Sequence, residues 1–478
     1  MSQPLRVILT EKPDVAKHVA EFFGVEKREN GAYRLRDGNY VTWMIGHLLD
    51  QGKPEDYMGE AQKAARGFAQ LPILPDGFKS FPDADKKDQL RAVVALLKKA
   101  DIIVNAGDVD REGQLISDET MLYAGVDPAG RTKPVERVVI RANNHASLKA
   151  AFAQGAIRKN GETEFVNRRF AGQCRAEADW LVGMNGSRGV RAAINASLSN
   201  KISVGRVQTP TLGLVVRREL EIRNFRSVSY YVPEIELPDG RVLTWHSRAE
   251  GVDQRGIDSE GRIIDRAVAE AIVERIRAGL AGEVTSFESV EKEQAPPLPF
   301  NLAKLQAEMS ARHGMSAKET SSATQSLYQN KKMVSYVGTD CQYLPDSMHA
   351  EGSDVLKGLS AIYAKVAGGA NPSIKYACWN DDKVSAHHAI IPTGEIATGL
   401  TKHEQQIFDA VARRYMAQFY PKHKYIDSKL EAQYGDDSFR AGWKHTTSLG
   451  WKAVDAQADE DAENQSQANK HFSKMRHN

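Results

Sequence analysis

The stretch that decides the fold is Asp101 to Gln114, DIIVNAGDVDREGQ. Ile102, Ile103 and Val104 form the short apolar run expected of a strand covered on both faces. Directly after it, Asp108, Asp110 and Glu112 stand at alternate positions, which on an extended chain face one side. Three carboxylates this close repel one another, and keeping them ionised is costly unless something positive sits among them. A divalent metal is one answer. Hard oxygen ligands suit magnesium, which keeps several waters and completes its shell with phosphate oxygens. A solvated acidic loop is the other answer, and the triplet alone leaves both open.

Outward from this stretch the chain alternates. LRVILT (5–10) reads as a strand, and Glu11 follows it in the tetrapeptide TEKP. DVAKHVAEFFG (14–24) and DQLRAVVALLKKA (88–100) carry apolar residues at helical spacing, the first closed by Gly24. GQLISDETMLYAG is the helix after the acidic triplet, and VERVVI (135–140) is a further strand. Such alternation predicts a parallel sheet with helices on its faces. Ligands gather at the carboxyl ends of strands in sheets of this kind. If the strand before Glu11 neighbours the strand before Asp108, four carboxylates converge on one edge.

Beyond residue 150 the pattern becomes helical and basic, with thirteen Lys and Arg against six Asp and Glu between Arg158 and Arg226. That is a surface for a phosphate backbone or a solvated helix face. In SVGRVQTPTLG (203–213), Thr209 reads as an N-cap and Pro210 as the first helical residue. The N–H groups of such a helix start would offer an anion site, with Arg206 and Gln208 just outside it. An ordinary capped helix explains the same residues. SYYVPEIEL and GRVLTWHSR look like sheet, QAPPLPF (294–300) is a Pro-rich boundary, and two helices follow it. Tyr336 sits in the Gly-bearing loop KMVSYVGTDCQYLP (332–345), and AHHAIIPT (386–393) supplies His387 and His388. Thr401 and Glu404 form a capping box opening a helix to about Phe419, before strand-like segments from 424 to 454. The polar tail, 456–478, predicts disorder.

Composition narrows the class. A chain of 478 residues exceeds one core, and 41% hydrophobic with 26% charged residues fits an ordinary soluble protein. Cys174, Cys341 and Cys378 are far apart, so neither a zinc ribbon nor a disulfide framework is expected. No signal peptide and no membrane span is read, which makes a cytoplasmic protein the expectation. The Gly-Lys pair Gly52-Lys53 is followed by proline, so no phosphate-binding P-loop and no nucleotide cofactor is expected.

Taken in order, TEKP, AGDVDREGQ, CRAEADWLVGMN, SVGRVQTP, APPLPFNLAKLQ, LYQNKKMVSYVGTDCQYLP and AHHAIIPT resemble the type IA DNA topoisomerases, in particular bacterial topoisomerase III, over roughly 5 to 395. The resemblance implies an α/β Toprim domain followed by an α+β multidomain toroidal clamp, here without the family's usual C-terminal section. It places the Toprim domain at 1–155 and a basic helical DNA-binding part at 156–222. A strand-rich arch takes 223–285 and 397–455, and a helical domain with the nucleophile takes 286–396. The implied activity is ATP-independent relaxation or decatenation of underwound DNA, through a cut in one strand held as a 5′-phosphotyrosine. Single-stranded or underwound DNA is the implied partner and magnesium the implied cofactor.

Carried over residue by residue, Tyr336 resembles the nucleophile, and Glu11 the glutamate that serves proton transfer and metal binding. Asp108, Asp110 and Glu112 resemble the magnesium cluster. Lys12 and His387 resemble the groups that contact the scissile phosphate. Ser203, Val204, Gly205, Arg206, Val207 and Gln208 resemble the single-strand contact segment, with Arg175, Trp180 and Arg188 along the approach. For Trp180, filling a core is an equal reading. Two rival functions remain: another Toprim enzyme such as a nuclease, or an inactive clamp that only holds single strands. The family usually has Pro-Arg after the nucleophile where this chain has Val337-Gly338. That departure predicts slow cleavage, and an arginine at 338 is expected to speed it if the loop tolerates one.

Overall fold

The computed structural model describes residues 3–194, 202–246 and 256–454. The tail 456–478, expected to be disordered, lies outside them. The chain divides into two compact units, Met1–Arg223 with Asp381–His388, and Asn224–Asn380 with Ala389–Asn478. Among the described residues no helix is long and apolar enough to cross a membrane.

In the first unit, β1 (Arg6–Thr10) leads into α1 (Pro13–Phe23). Pro13 fits the first helical position because its missing N–H is unpaired there in any case. Gly24 ends the helix at φ 89°, a conformation that favours glycine, and its N–H returns to the Ala20 and Glu21 carbonyls. The antiparallel strands β2 (Val25–Glu29), β3 (Ala32–Leu35) and β4 (Tyr40–Trp43) follow. A two-stranded ribbon, β5 (Leu49–Gln51) with β6 (Ser80–Pro82), lies between them and the next helices. The short α2 (Glu60–Ala64) falls within that ribbon's connection, and α3 (Lys87–Lys99) follows it.

The strand read in DIIVNA is β7 (Ile102–Ala106), and it pairs in parallel with β1, Thr10 opposite Ala106. After it come α4 (Arg111–Tyr123), β8 (Val135–Arg137), α5 (His145–Ala151), β9 (Arg158–Lys159) and α6 (Thr163–Ala193). The main sheet has the order β2-β3-β4-β1-β7-β8-β9. Its two faces are separate apolar clusters. Val7, Leu9, Ile103 and Ile116 belong to one, and Ile8, Val19, Val41 and Val104 to the other. Successive residues of β1 and β7 thus point to opposite, equally apolar layers, which is why both read as uninterrupted hydrophobic runs.

A further helix, Gln208–Arg223, begins at Gln208, so Thr209 is not its cap. The Thr209 hydroxyl instead accepts from Gly205 N–H, because the turn already starts there, with Thr209 N–H bonded to Gly205 O.

The second unit holds an antiparallel sheet ordered β10-β11-β14-β13-β12. Its strands are β10 (Glu234–Glu236), β11 (Val242–His246), β12 (Gly282–Gln294), β13 (His423–Tyr434) and β14 (Asp437–Ser448). The helix Arg266–Arg277 packs Ala269 and Ile272 into the same cluster as Leu243, Leu430 and Phe439. A separate, larger core is built from the helices Leu302–His313, Ala317–Gln329, Gly352–Gly369 and Lys402–Met416. The capping box of Thr401 and Glu404 is present, as is a second one from Ser316 and Glu319.

Candidate functional site

The acidic residues fall where two neighbouring parallel strands end. Glu11 follows β1, and Asp108 follows β7 by way of Gly107. Lys12 Nζ donates to Asp108 Oδ2 at 2.6 Å and lies 3.7 Å from Glu11 Oε1. His387, from the segment that joins this unit, places Nε2 2.9 Å from the same Asp108 oxygen and 3.3 Å from Lys12 Nζ. Four of the residues picked from sequence, Glu11, Lys12, Asp108 and His387, are therefore one cluster.

Its two carboxylates are driven apart electrically. Burial, then the charge of Asp108, pushes Glu11 up to about 7, although Lys12 pulls the other way. Burial also acts against Asp108, but the hydrogen bonds and charges of His387 and Lys12 overcome it and hold that carboxyl well below the usual range. Glu11 Oε2 is buried with no hydrogen-bond partner among the described residues. It lies over the first turn of α4, where a Cβ on Gly113 would come within 2.5 Å of it and 2.7 Å of Asp108 O. Glycine leaves the room in which the carboxylate sits.

The expected convergence of all the acids is only partly met. Asp110 caps α4, its side chain accepting from Gly113 N–H at 2.7 Å. Its charge still adds to the rise at Glu11. Glu112 is turned elsewhere: His47 Nε2 contacts it at 3.0 Å and Arg175 at 3.5 Å. Among the described residues no three His, Cys, Asp or Glu side chains are grouped to hold a metal ion. The reason is local. Alternation places side chains on one side only in an extended chain, and Glu112 lies in the first turn of a helix, where successive residues are about 100° apart. His47 bridges Glu112 to Glu119, 2.6 Å from its other nitrogen, and the Glu119 hydrogen bond leads in raising the imidazole to about 9. The buried oxygen of Glu11 is still a hard donor of the kind that suits a cation retaining most of its water.

A support that the motifs did not reveal holds this loop. Arg137 of β8 is fully buried. It donates to the carbonyls of Asn105, Gly107, Val138 and Asp108 at 2.8–3.0 Å, and to Gln114 Oε1 at 3.0 Å. Arg168 of α6 donates to the Val109 carbonyl. The guanidinium of Arg137 lies over the ring of Phe165, as does that of Arg168. Buried carbonyls of an irregular loop need donors, and these arginines supply them. The signal was visible in VERVVI, where Arg137 stands two residues from Val135 and so shares its inward face of the strand.

The residues expected along a single strand separate into two groups. Trp180 is a core residue: it is buried, its indole N–H donates to Gly52 O at 2.8 Å, and its ring meets Tyr57 and Phe78 edge-on. This corrects its assignment to a DNA contact, since a ring enclosed on these sides has no face left for a base. Arg188 pairs with Glu55 and Gln70. Arg175 and Arg206 stay at the surface, both paired with Asp179, Arg175 reaching Glu112 as well. The 203–208 segment runs beside α6, Val204 N–H donating to Ser187 Oγ and Gln208 to Ser203 Oγ, both at 2.9 Å. Gly186 permits this approach, because a Cβ there would meet Val204 at 2.9 Å. Val207 is exposed.

Tyr336 belongs to the second unit. Its loop is laced to the strand-like segment 389–393. Ser335 N–H donates to Ile391 O at 2.9 Å, Thr393 N–H to Met333 O at 3.0 Å, and Thr393 Oγ1 to Lys332 O at 2.7 Å. Met333, Val334 and Val337 are buried. The rings of Tyr328 and Tyr336 meet edge to face, 5.6 Å between centroids. Lys331 Nζ is directed to the carbonyls of Thr398 and Gly399, whereas Lys332 Nζ lies 5.6 Å over the Tyr328 ring.

Comparison with known proteins bears on both units. A family model described as "DNA topoisomerase" matches residues 164–476, and one described as "Toprim domain" matches 6–141. The DNA topoisomerase 3 of Vibrio cholerae is 36% identical over 470 residues, covering 96% of this chain and 71% of its own. That of Bacillus subtilis is 33% identical over 467 residues, covering 96% of this chain and 60% of its own. Full-length topoisomerase I from Thermotoga maritima has a similar fold, with a TM-score of 0.59 at 20% identity, over 94% of this chain and 67% of that one.

Proposed function

The chain belongs to the type IA DNA topoisomerases, with its curated relatives among the bacterial topoisomerase III enzymes, and from that premise we propose that Tyr336 is its nucleophile and the Glu11–Lys12–Asp108–His387 cluster its phosphate and proton-transfer group. The observation that carries the second half is the joint placement of these four side chains at the carboxyl ends of paired β1 and β7. In the forward step Tyr336 Oη bonds to phosphorus and gives up its proton, the bond from phosphorus to the 3′-oxygen breaks, and the 3′-oxygen takes a proton. Glu11, pushed up to about 7, holds a proton at neutral pH to a useful extent and is suited to deliver it. Resealing reverses the same steps, with Glu11 taking the proton back. Lys12 brings positive charge to a phosphate, which an uncompensated Asp108 would repel, and His387 stands beside Lys12 as a further contact for that phosphate.

Magnesium, held by Glu11, Asp108 and Asp110, would supply charge neutralisation beside the phosphate. Because one ester replaces another, the energy of the broken bond is kept in the phosphotyrosine and no nucleotide is required. Single-stranded DNA is the proposed substrate surface, followed by the 203–208 segment with Arg175 and Arg206.

The test is denaturing electrophoresis of an end-labelled single-stranded oligonucleotide after incubation with the chain. A covalent adduct joined to the 5′-phosphate of the fragment on the 3′ side of the cut is expected with the wild type on a 3′-end-labelled strand, and absent with Tyr336→Phe, whose oligonucleotide affinity should be nearly unchanged. An adduct that survives in Tyr336→Phe moves the nucleophile elsewhere. Binding without any adduct leaves only a single-strand clamp.

A further inference from the structure

The backbone at Gly338 occupies a position that no other residue type fits while Tyr336 stays where it is. A Cβ on Gly338 would come within 2.5 Å of Tyr336 Oη, 2.8 Å of Cζ and 3.0 Å of Cε1. Gly338 is not among the glycines at positive φ. The requirement is therefore for space, not for a left-handed backbone.

The surroundings decide which side would yield. Val337 and Thr339 on either side are buried, 6% and 3% exposed. Thr339 O accepts from Leu302 N–H at 3.1 Å, Asp340 O from Asn301 Nδ2 at 2.8 Å, and Thr339 Oγ1 from Cys341 N–H at 3.0 Å. Moving this backbone would break bonds to the helix Leu302–His313. A tyrosine side chain turns about two bonds at far lower cost. A side chain at 338 would therefore expel the phenol and leave the fold standing.

The ring has a second fixed contact in Tyr328, edge to face at an interplanar angle of 76°. Tyr328 stands on the last turn of the helix Ala317–Gln329, and the Lys332 ammonium lies over its face. Lys332 is the one non-glycine residue at positive φ among those described, 57°. Such a backbone is held only when its surroundings fix it. Here the Thr393 hydroxyl and N–H fix it, bonded to the carbonyls of Lys332 and Met333.

We infer that Gly338 and Tyr328 are positioning residues for the nucleophile, Gly338 as the floor against which the phenol of Tyr336 rests and Tyr328 as the wall beside it. The inference rests on the reading of Tyr336 as nucleophile. It also reverses the expectation drawn from sequence for residue 338. In this chain an arginine there removes the seat of the phenol before its charge can help the phosphate.

Single-turnover adduct formation on an end-labelled single-stranded oligonucleotide tests this, with affinity and melting temperature measured on the same preparations of the full chain. Misplacing a reacting atom by about 1 Å costs on the order of a hundredfold in rate. Gly338→Ala and Gly338→Arg are each expected to slow adduct formation roughly ten- to a hundredfold, with affinity and melting temperature held. Tyr328→Leu should slow it as well, and Tyr328→Phe, which keeps the ring edge, should recover most of that loss. A purely structural role would instead lower the melting temperature in step with the rate. Gly338→Ala or Gly338→Arg forming adduct as fast as the wild type, or faster, overturns the inference while leaving Tyr336 as nucleophile. An adduct persisting in Tyr336→Phe overturns the nucleophile assignment itself, and this inference with it.

Discussion

At the scale of single residues, chemistry that looks alike in sequence is separated by what each side chain touches. Trp180, Arg175 and Arg188 lie within one motif-rich helix, yet Trp180 closes a small cluster with Met58 and Ile73 while Arg175 stays at the surface. Trp180→Ala should therefore destabilise the chain by about 3–5 kcal/mol, the usual cost of truncating a buried aromatic. Urea unfolding would read it. If Trp180 stacked on a base, the result would be a near-normal unfolding curve and a loss of about 1–3 kcal/mol in single-strand affinity. Lys331 and Lys332 divide in the same way. Adjacent in sequence, one is directed to the Thr398 and Gly399 carbonyls and the other to the Tyr328 ring.

At the scale of elements, the acidic loop depends on polar groups buried behind it. Asn105 of β7 and Gln114 of α4 both bond to Asn160, which also donates to Asp118 at 3.0 Å. Asp118 is 2% exposed, and burial pushes its carboxyl from 3.8 up to about 6. The folded state thus holds this proton more tightly than the unfolded chain does. Its contribution to stability is complete below about pH 4 and is lost as pH rises toward about 6. At about 1.36 kcal/mol per pKa unit the loss is roughly 3 kcal/mol at most. Asp118→Asn cannot ionise, so between pH 4.5 and 7 the wild type should lose up to that amount relative to the variant in urea unfolding. Parallel pH profiles for the two proteins would contradict the burial argument.

At the scale of the whole molecule, the proposed activity draws on both units, the acids and cations of the first and the tyrosine of the second. Relaxation of underwound plasmid should stop in excess chelator and resume when magnesium is restored, because the carboxylates near the phosphate then lose their compensating charge. Oligonucleotide binding should persist through both steps, since the basic surface of α6 and the 203–208 segment needs no cation of its own. Full relaxation in excess chelator would remove magnesium from the proposal.

The sequence by itself determined the β1–α1 and β7–α4 units, the capping box at Thr401, and the ordered motifs that give the family. These are local facts. An apolar run, a cap or a proline acts within a few residues, so periodicity and spacing record it directly. Which side chains meet was a different matter. Glu112 left the acidic cluster because a helix began two residues earlier than an extended chain would allow. His387, more than 370 residues beyond Lys12, joined that cluster because its segment folds with the first unit. Arg137 became the donor for the loop's carbonyls, and Gly338 the floor under Tyr336, through contacts that no spacing encodes. Backbone hydrogen-bond demand and close packing are satisfied across the fold, by whatever groups the tertiary structure brings within reach, and only that structure decides them.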